Sequence, residues 1–456
     1  MNVQISSDET IVALATPQGV GAIAVIRLSG KESISITNKI FKGKDLTKQN
    51  SHTLHFGNIV DGDEIIDEVL VSVFKAPNSF TKEDAIEIST HGSPFVVKRV
   101  IEVLLVNGAR LATAGEFTKR AFTHGRFDLA QAEAVADLIA SENETAHKVA
   151  LNQMRGGFSD EIKQLREKLI HFASMIELEL DFSEEDVEFA DRKAVRTLIE
   201  ELQKVLGELM KSFRLGNVIK NGVPTVIAGK PNAGKSTLLN ALLKEEKAIV
   251  SEIAGTTRDF IEDVLVIDGI SFRFIDTAGL RQATDQIEAM GVERTQAKMK
   301  EASLIIYLFD LSAETIDSIQ STIKELQSRG VPFIAVGNKL DKSKDLDLSQ
   351  LDVEVIQISA ASGENLEVLK DRILSAVHLD QIKTDQTIIT NMRHYQGLKE
   401  TNDALTDVLS GLEQELTNDF LALDIRNALH HLGELTGEIT TDDLLENIFS
   451  KFCIGK

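Results

Sequence analysis

The octet Gly229-Lys230-Pro231-Asn232-Ala233-Gly234-Lys235-Ser236, which fits G-x-x-x-x-G-K-S, constrains this chain more than any other feature. It follows an apolar, β-rich run, Val223 to Ala228, and precedes a helix-favouring one, Thr237 to Leu243. Strand, glycine loop and helix in that order make an anion cradle. Backbone amides curl round phosphates where no Cβ intervenes, and the helix N-terminus adds the positive end of its dipole. Lys235 offers a point charge to the β- and γ-phosphates and Ser236 an oxygen to Mg2+. The octet alone specifies a nucleotide and not which one.

Its companions follow in order. Asp276-Thr277-Ala278-Gly279 comes after a short strand, Phe272 to Ile275. An Asp there holds the Mg2+ shell through water, and the glycine amide senses a γ-phosphate. Asn338-Lys339-Leu340-Asp341 ends another apolar strand. The Asp341 carboxylate can accept both guanine N1–H and the N2 amine, donors that adenine does not present there, and a buried polar group left unpaired makes that discrimination large. Ser359-Ala360-Ala361 offers backbone amides to the guanine oxygen. Gly255-Thr256-Thr257-Arg258-Asp259 stands where a mobile switch belongs, with Thr257 as a second hydroxyl ligand for Mg2+.

One position departs from the common GTPase. The residue after D-x-x-G is Leu280, not the glutamine that orients water. The positive charge that an arginine finger supplies is worth about 4–7 kcal/mol and must come from elsewhere. Arg258 and Arg281 are possible donors; a monovalent cation held by Asn232 is the other source. Glu288 is a candidate to position water, although its spacing alone reads as a solvated helix residue.

At 456 residues the chain has room for about three domains. The 49 basic against 71 acidic residues, net −22, argue against an extended basic face that grips nucleic acid by itself. A hydrophobic share of 43% and a charged share of 26% fit globular domains, not disorder. One cysteine excludes an internal disulfide and a multi-cysteine zinc site and fits a reducing cytosol. No apolar run is long enough to span a bilayer, so the expectation is a cytoplasmic protein with no membrane.

The chain has three textures. Up to about residue 122 it is mixed α/β, with strands at Ile11 to Leu14, Ala22 to Leu28, Thr53 to Val60 and Val69 to Phe74, a hairpin at Asp61-Gly62, and a helix from Phe95 to Val106. From Asp128 to about Arg214 the period is helical, interrupted at Gly156-Gly157. From 223 to about 378 strands alternate with helices, with a further hairpin at Asp268-Gly269, and helical texture returns after about 385. The resulting fold class is α/β plus all-α: a P-loop GTPase domain inserted into a helical domain, preceded by an α+β N-terminal domain. The expected boundaries are 1–122, 123–218, 219–380 and 381–456. Periodicity alone leaves two separate helical modules open.

The residues also resemble one family, the bacterial tRNA modification GTPases called MnmE or TrmE, over nearly the whole chain. The markers are Ala15-Thr16-Pro17 with Val25 to Gly30, Pro77-Asn78-Ser79-Phe80-Thr81, Gly115-Glu116-Phe117-Thr118, Asp128 to Ala134, the phosphate loop with Pro231-Asn232, and the terminal Phe452-Cys453-Ile454-Gly455-Lys456. The resemblance implies a potassium-dependent homodimeric GTPase. Such a protein works with the flavoprotein MnmG (GidA), in a heterotetramer, to place a carboxymethylaminomethyl or aminomethyl group on carbon 5 of the wobble uridine of certain tRNAs. The one-carbon unit comes from a tetrahydrofolate derivative, 5-formyl- or methylene-tetrahydrofolate, bound by a folate-binding-like N-terminal domain that also dimerises.

By the same resemblance Asn232, Ser251, Ile253 and Thr256 match the potassium shell, Ser236 and Thr257 the Mg2+ ligands, and Ser251-Glu252-Ile253-Ala254 with Gly255 the GTP-binding switch. Glu288 matches the acid linked to water activation. Arg27, Glu83, Arg126 and Lys456 match folate positions, with Arg126 where some relatives carry Lys. Cys453 matches a cysteine proposed as reactive; its other reading is a small buried hydrophobe. Folate glutamate carboxylates suit Arg27, Arg126 or Lys456, and Glu83 is expected to accept from a pterin edge. A GTP-regulated assembly or binding factor without folate chemistry is the alternative function.

Overall fold

The computed structural model describes residues 9–181, 192–245, 263–275, 302–343, 346–376 and 387–455. It divides into two compact units: the described parts of Met1–Ile139, Asn152–Gln203 and Gly397–Lys456, and those of Ala140–Leu151 and Lys204–Gln396. The second is thus inserted, along the chain, into the first. This is the expected class, a P-loop GTPase domain within a helical domain that follows an α+β N-terminal region.

The first unit begins with a seven-stranded sheet: β1 (Ile11–Leu14), β2 (Ile23–Ser29), β3 (Phe41–Lys42), β4 (Thr53–Asp61), β5 (Glu64–Phe74), β6 (Ala85–His91) and β7 (Arg110–Leu111), in the order β3-β4-β5-β6-β2-β1-β7. All neighbours are antiparallel except β1 and β7. The period-2 pattern decides the faces. Ile26 and Leu28 on β2 and Ile86 and Ile88 on β6 point into a core closed by α1 (Ser33–Ile40) and α2 (Pro94–Val106), where Val100 and Leu104 are fully buried. Burying each such side chain contributes roughly 1.5–3 kcal/mol. The residues between them, Arg27 and Glu87, are left on the opposite face and stand directly across the β2–β6 ladder. On that face Ile11, Ala13, Ala112 and Phe117 form a smaller cluster with Phe80 against it. Phe117 lies on α3 (Glu116–Thr123).

The helices of the first unit include α4 (Leu129–Ala140, its last residue apart), α6 (Gly157–Asp181) and the later α12 (Asn418–Thr436) and α13 (Asp442–Phe449); α5 (Glu144–Met154), α7 (Arg192–Asn221) and α11 (Met392–Glu413) are each divided, along the chain, between the two units. The break foreseen at Gly156-Gly157 is present: α5 stops at Met154 and Gly156 adopts φ 101°. Helix α6 packs on α12, with Arg426 Nη2 2.7 Å from Glu177. Thr441 caps α13 by accepting from Leu444 N, and Asp442 is already the first helical residue. Leu445, Ile448 and Phe449 of α13 join Leu129 and Ala132 of α4 in a core with Phe122 and Phe452. The chain end is thereby fixed beside the N-terminal sheet: Ile454 bridges Ala114, and Gly115 N donates to Cys453 O at 3.4 Å.

The second unit contains a six-stranded sheet of β8 (Val223–Ala228), β9 (Asp263–Ile267), β10 (Ile270–Phe274), β11 (Leu304–Asp310), β12 (Phe333–Asn338) and β13 (Val355–Gln357), ordered β13-β12-β11-β8-β10-β9. Only the β9–β10 pair, the hairpin at Asp268-Gly269, is antiparallel. β11 is buried along its whole length. Leu304, Ile306 and Leu308 meet α8 (Lys235–Glu245) and α10 (Leu366–Ala376) in one core, while Ile305, Tyr307 and Phe309 meet α9 (Ile316–Ser328) in the other. A strand covered on both faces reads as a continuous apolar run, which is why Leu304 to Phe309 shows no alternation.

Candidate functional site

The nucleotide cradle forms where strand β8 turns into helix α8. Two glycines shape it. At Gly229, φ 155°, a Cβ would drive into the carbonyl oxygen of Leu308, and at Gly234, φ 99°, into Nδ2 of Asn338. Asn232 takes φ 63°, a conformation that Asn tolerates better than most residues. Lys235 Nζ donates to the carbonyls of Gly229 and Lys230, both at 2.9 Å. Lys235, Ser236 and Thr237 begin α8, and Ala233 of the loop is buried.

Asn338 joins this loop to the segment after β13. Its Nδ2 donates to Ala233 O at 2.8 Å, and its Oδ1 accepts from Ala360 N at 3.0 Å. Asp341 follows in a short 3-10 turn, Leu340–Lys342, entered through Lys339 at φ 65°. Ser359 Oγ donates to Asp341 Oδ1 at 2.7 Å, leaving Oδ2 for a base. Leu340 N donates to Ile358 O. Asn232, Ala233, Gly234, Lys235, Ser236 and Thr237 therefore come together with Asn338, Lys339, Leu340, Asp341, Ser359, Ala360 and Ala361 at the strand ends of one sheet. Ser251, Glu252, Ile253, Ala254, Gly255, Thr256, Thr257, Asp276, Thr277, Ala278, Gly279 and Glu288 lie outside the described residues, as does Lys456.

A second concavity lies on the N-terminal sheet. It has a volume of about 550 Å³ and is lined by, among others, Arg27, Ser29, Phe80, Glu87, Phe117 and Arg126. The lining stacks alternately: Arg27 lies over Phe80 and Phe117, and Arg126 over Phe80 and Phe127, at 5.1–5.8 Å from guanidinium carbon to ring centre. Arg27 is held by Glu87 at 2.8 Å. Arg126 donates to Ser79 O and has no carboxylate partner among the described residues; its burial lowers its pKa from the usual arginine value.

Glu83 behaves otherwise than its sequence reading implied. It is not among the residues lining the cavity. Its carboxylate is engaged by Arg120 at 3.1 Å and by Ser29 Oγ at 2.7 Å. The carboxylate that faces the cavity is Glu87, four residues on and in register with Arg27. A signal for it was present in the sequence: Ile86 and Ile88 alternate about it, which sets Glu87 opposite the core. Behind Glu83 stands a buried chain of charges. Arg120 reaches Glu116 at 3.1 Å, and Glu116 reaches Arg110 at 2.6 Å. Burial alone would raise the Glu116 carboxyl, but hydrogen bonds from Arg110 and Thr113 N, with the charges of Arg110 and Arg120, outweigh it and bring the pKa to about 2. Cys453 is exposed, which removes the reading of it as a buried hydrophobe.

Two family patterns cover the chain: the MnmE helical domain matches residues 129–453, and the GTP-binding protein TrmE N-terminus residues 10–126. A tRNA modification GTPase MnmE of Cytophaga hutchinsonii is 61% identical over 98% of this chain and 98% of its own. The chain belongs to the MnmE family of tRNA modification GTPases. A further member, from Flavobacterium psychrophilum, is 52% identical over 98% of this chain and 99% of its own. Membership makes this chain a GTP hydrolase. A solved structure, the G domain of the T. maritima FeoB iron transporter, is matched at 27% identity over 34% of this chain and 98% of that one, with a TM-score of 0.26.

Proposed function

We propose that this GTPase drives tetrahydrofolate-dependent modification of the tRNA wobble uridine at carbon 5, as a cytoplasmic homodimer partnered by the flavoprotein MnmG. The observation that carries this reading is the arginine–aromatic cavity on the N-terminal sheet, on the same chain as the nucleotide cradle. Its volume falls in the range of small-ligand sites. Phe80 suits a flat heterocycle, Glu87 can accept from its ring N–H and amino groups, and Arg126 offers an unneutralised cation to a glutamate carboxylate. The bound folate would supply the one-carbon unit. Of the expected ligands, Arg27 and Arg126 keep their place in this proposal, Glu87 replaces Glu83, and Lys456 stays as the resemblance has it.

On the nucleotide side, Asp341 selects guanine, Lys235 and the amides of Gly234 to Thr237 bind phosphate oxygens, and Ser236 with Thr257 holds Mg2+. Asn232, with Ser251, Ile253 and Thr256, holds K+, whose charge at the phosphates takes the place of an arginine finger. Glu288 orients the attacking water where Leu280 cannot. The strongly acidic chain suits a division of labour in which a basic partner holds much of the tRNA.

The test is mass spectrometry of wobble uridines from cells lacking this chain. Loss of the carbon-5 substituent is expected. Unaltered nucleosides would point instead to a GTP-regulated assembly factor. Binding of 5-formyl-tetrahydrofolate to the full chain, measured by calorimetry, checks the cavity separately.

A further inference from the structure

The two nucleotide loops belong to strands that do not touch. β8 carries the phosphate loop and β12 the Asn338–Asp341 segment, and β11 runs between them, hydrogen-bonded to both. The chain leaving β11 therefore emerges between the loop that holds phosphates and the loop that holds the base. It forms the turn Asp310–Glu314 there, closed by Ala313 N and Glu314 N donating to Asp310 O.

This turn carries two carboxylates with a lysine on each. Asp310 Oδ2 is 2.6 Å from Nζ of Lys339, on the base loop. Glu314 Oε2 is 3.0 Å from Nζ of Lys230, on the phosphate loop, as an ion pair off the hydrogen-bond direction. The aligned hydrogen bond of that ammonium goes to Ser318 Oγ at 2.6 Å, in the first turn of α9. The two carboxylates are themselves fixed. Asp310 Oδ1 accepts from Ser312 N at 2.8 Å and Oγ at 2.6 Å, and Glu314 Oε1 accepts from Asp310 N at 3.3 Å. Both acids are largely shielded, their side chains 11% and 7% exposed, whereas the lysines are 32% and 53% exposed, so screening is reduced more for the Asp310–Lys339 pair than for Glu314–Lys230. Lys339 is moreover in the left-handed region, a conformation costly for lysine that a fixed partner helps to hold.

We infer that Asp310 and Glu314 are positioning residues for guanine-nucleotide binding: a two-carboxylate tether that fixes the span between phosphate loop and base loop. The tether is separate from the Asn338 link, which joins the same loops through neutral amide contacts. Its contribution lies in affinity. Neither carboxylate needs to touch the nucleotide; each neutralises and aims a lysine whose stem borders the site. Loss of a carboxylate frees one loop to drift, so nucleotide leaves faster. The inference rests on guanine-nucleotide binding at this site and is independent of the folate reading.

The experiment is stopped-flow release of N-methylanthraniloyl-GDP from the full-length chain and from Asp310→Asn, Glu314→Gln, Lys230→Met and the Glu314→Gln/Lys230→Met pair. Release is expected to quicken about tenfold in Asp310→Asn and about threefold or more in each of the others, the cost of losing a charge-assisted contact. The double variant should release no faster than Lys230→Met alone, because that variant already removes the Glu314 contact together with the Ser318 hydrogen bond. In steady state, KM for GTP should rise in step in Asp310→Asn and Glu314→Gln while their kcat holds within about twofold. Multiplying effects in the Glu314/Lys230 cycle, or wild-type release rates in a folded Asp310→Asn protein, would overturn the tether. Should Asp310→Asn fail to fold, the Glu314/Lys230 cycle decides alone. A wild-type chain that does not hold the labelled GDP would overturn the site itself, and the tether with it.

Discussion

In the proposed site base selectivity rests on one carboxylate. Asp341 has one oxygen occupied by Ser359, and the other is proposed for guanine, so converting it to an amide would place a donor where an acceptor is needed. Asp341→Asn should lower the preference for GTP over ATP by about 10- to 100-fold, read from competitive displacement of labelled GDP. Glu116 makes a second prediction, about acid. Its folded pKa of about 2 lies below the ordinary 4.5, so the native state favours the charged form. That stability is complete above pH 4.5 and is lost as pH falls through about 2. Its size is on the order of 3 kcal/mol. Urea midpoints of wild type and Glu116→Gln should differ at pH 7 and converge between pH 4.5 and 2. A difference that stays constant across that window would remove the ion network as a source of acid sensitivity.

At the scale of elements, the β2–β6 ladder does what the motif match could not. A strand pair in register puts Arg27 and Glu87 on one face, while Glu83 precedes the strand and is paired with Arg120. The two acids therefore separate in experiment. Glu87→Gln should weaken 5-formyl-tetrahydrofolate about tenfold in calorimetry with a small change in Tm. Glu83→Gln should do the reverse, costing about 3 kcal/mol of stability by leaving Arg120 short of charge, since breaking one side of a buried pair is strongly destabilising. Equal losses of affinity from both would restore Glu83 as a ligand. The resemblance picked an acid in this segment, but a four-residue shift decides whether a carboxylate lines the cavity, and the alternation of Ile86 and Ile88 about Glu87 is its sign in the sequence.

For the whole molecule, the division into two units puts the cation question in one of them. If an alkali ion held by Asn232 supplies the missing charge, replacing Na+ by K+ should raise the GTPase rate at least tenfold, and Asn232→Ala should erase that preference while GDP binding changes much less. Equal rates in both salts would return the role to Arg258 or Arg281. The measurement is phosphate release at matched ionic strength, because the highly acidic chain responds to screening as such.

Local chemistry alone determined a good deal of this protein. The glycine loop, the Asn338–Asp341 segment, the helical periods, the Gly156-Gly157 break and the Thr441 cap are each set by residues within a few positions of one another, so they are legible in order along the chain. Only the tertiary structure decided the relations between distant segments: Glu87 across from Arg27, Arg120 reaching back to Glu83, the chain end bridged to Ala114, and the turn after β11 clamping a lysine from each neighbouring loop. The reason is physical. A charge finds its partner through space, and sheet order, which places β11 between β8 and β12, is fixed by the burial of whole apolar faces and not by any short run of sequence.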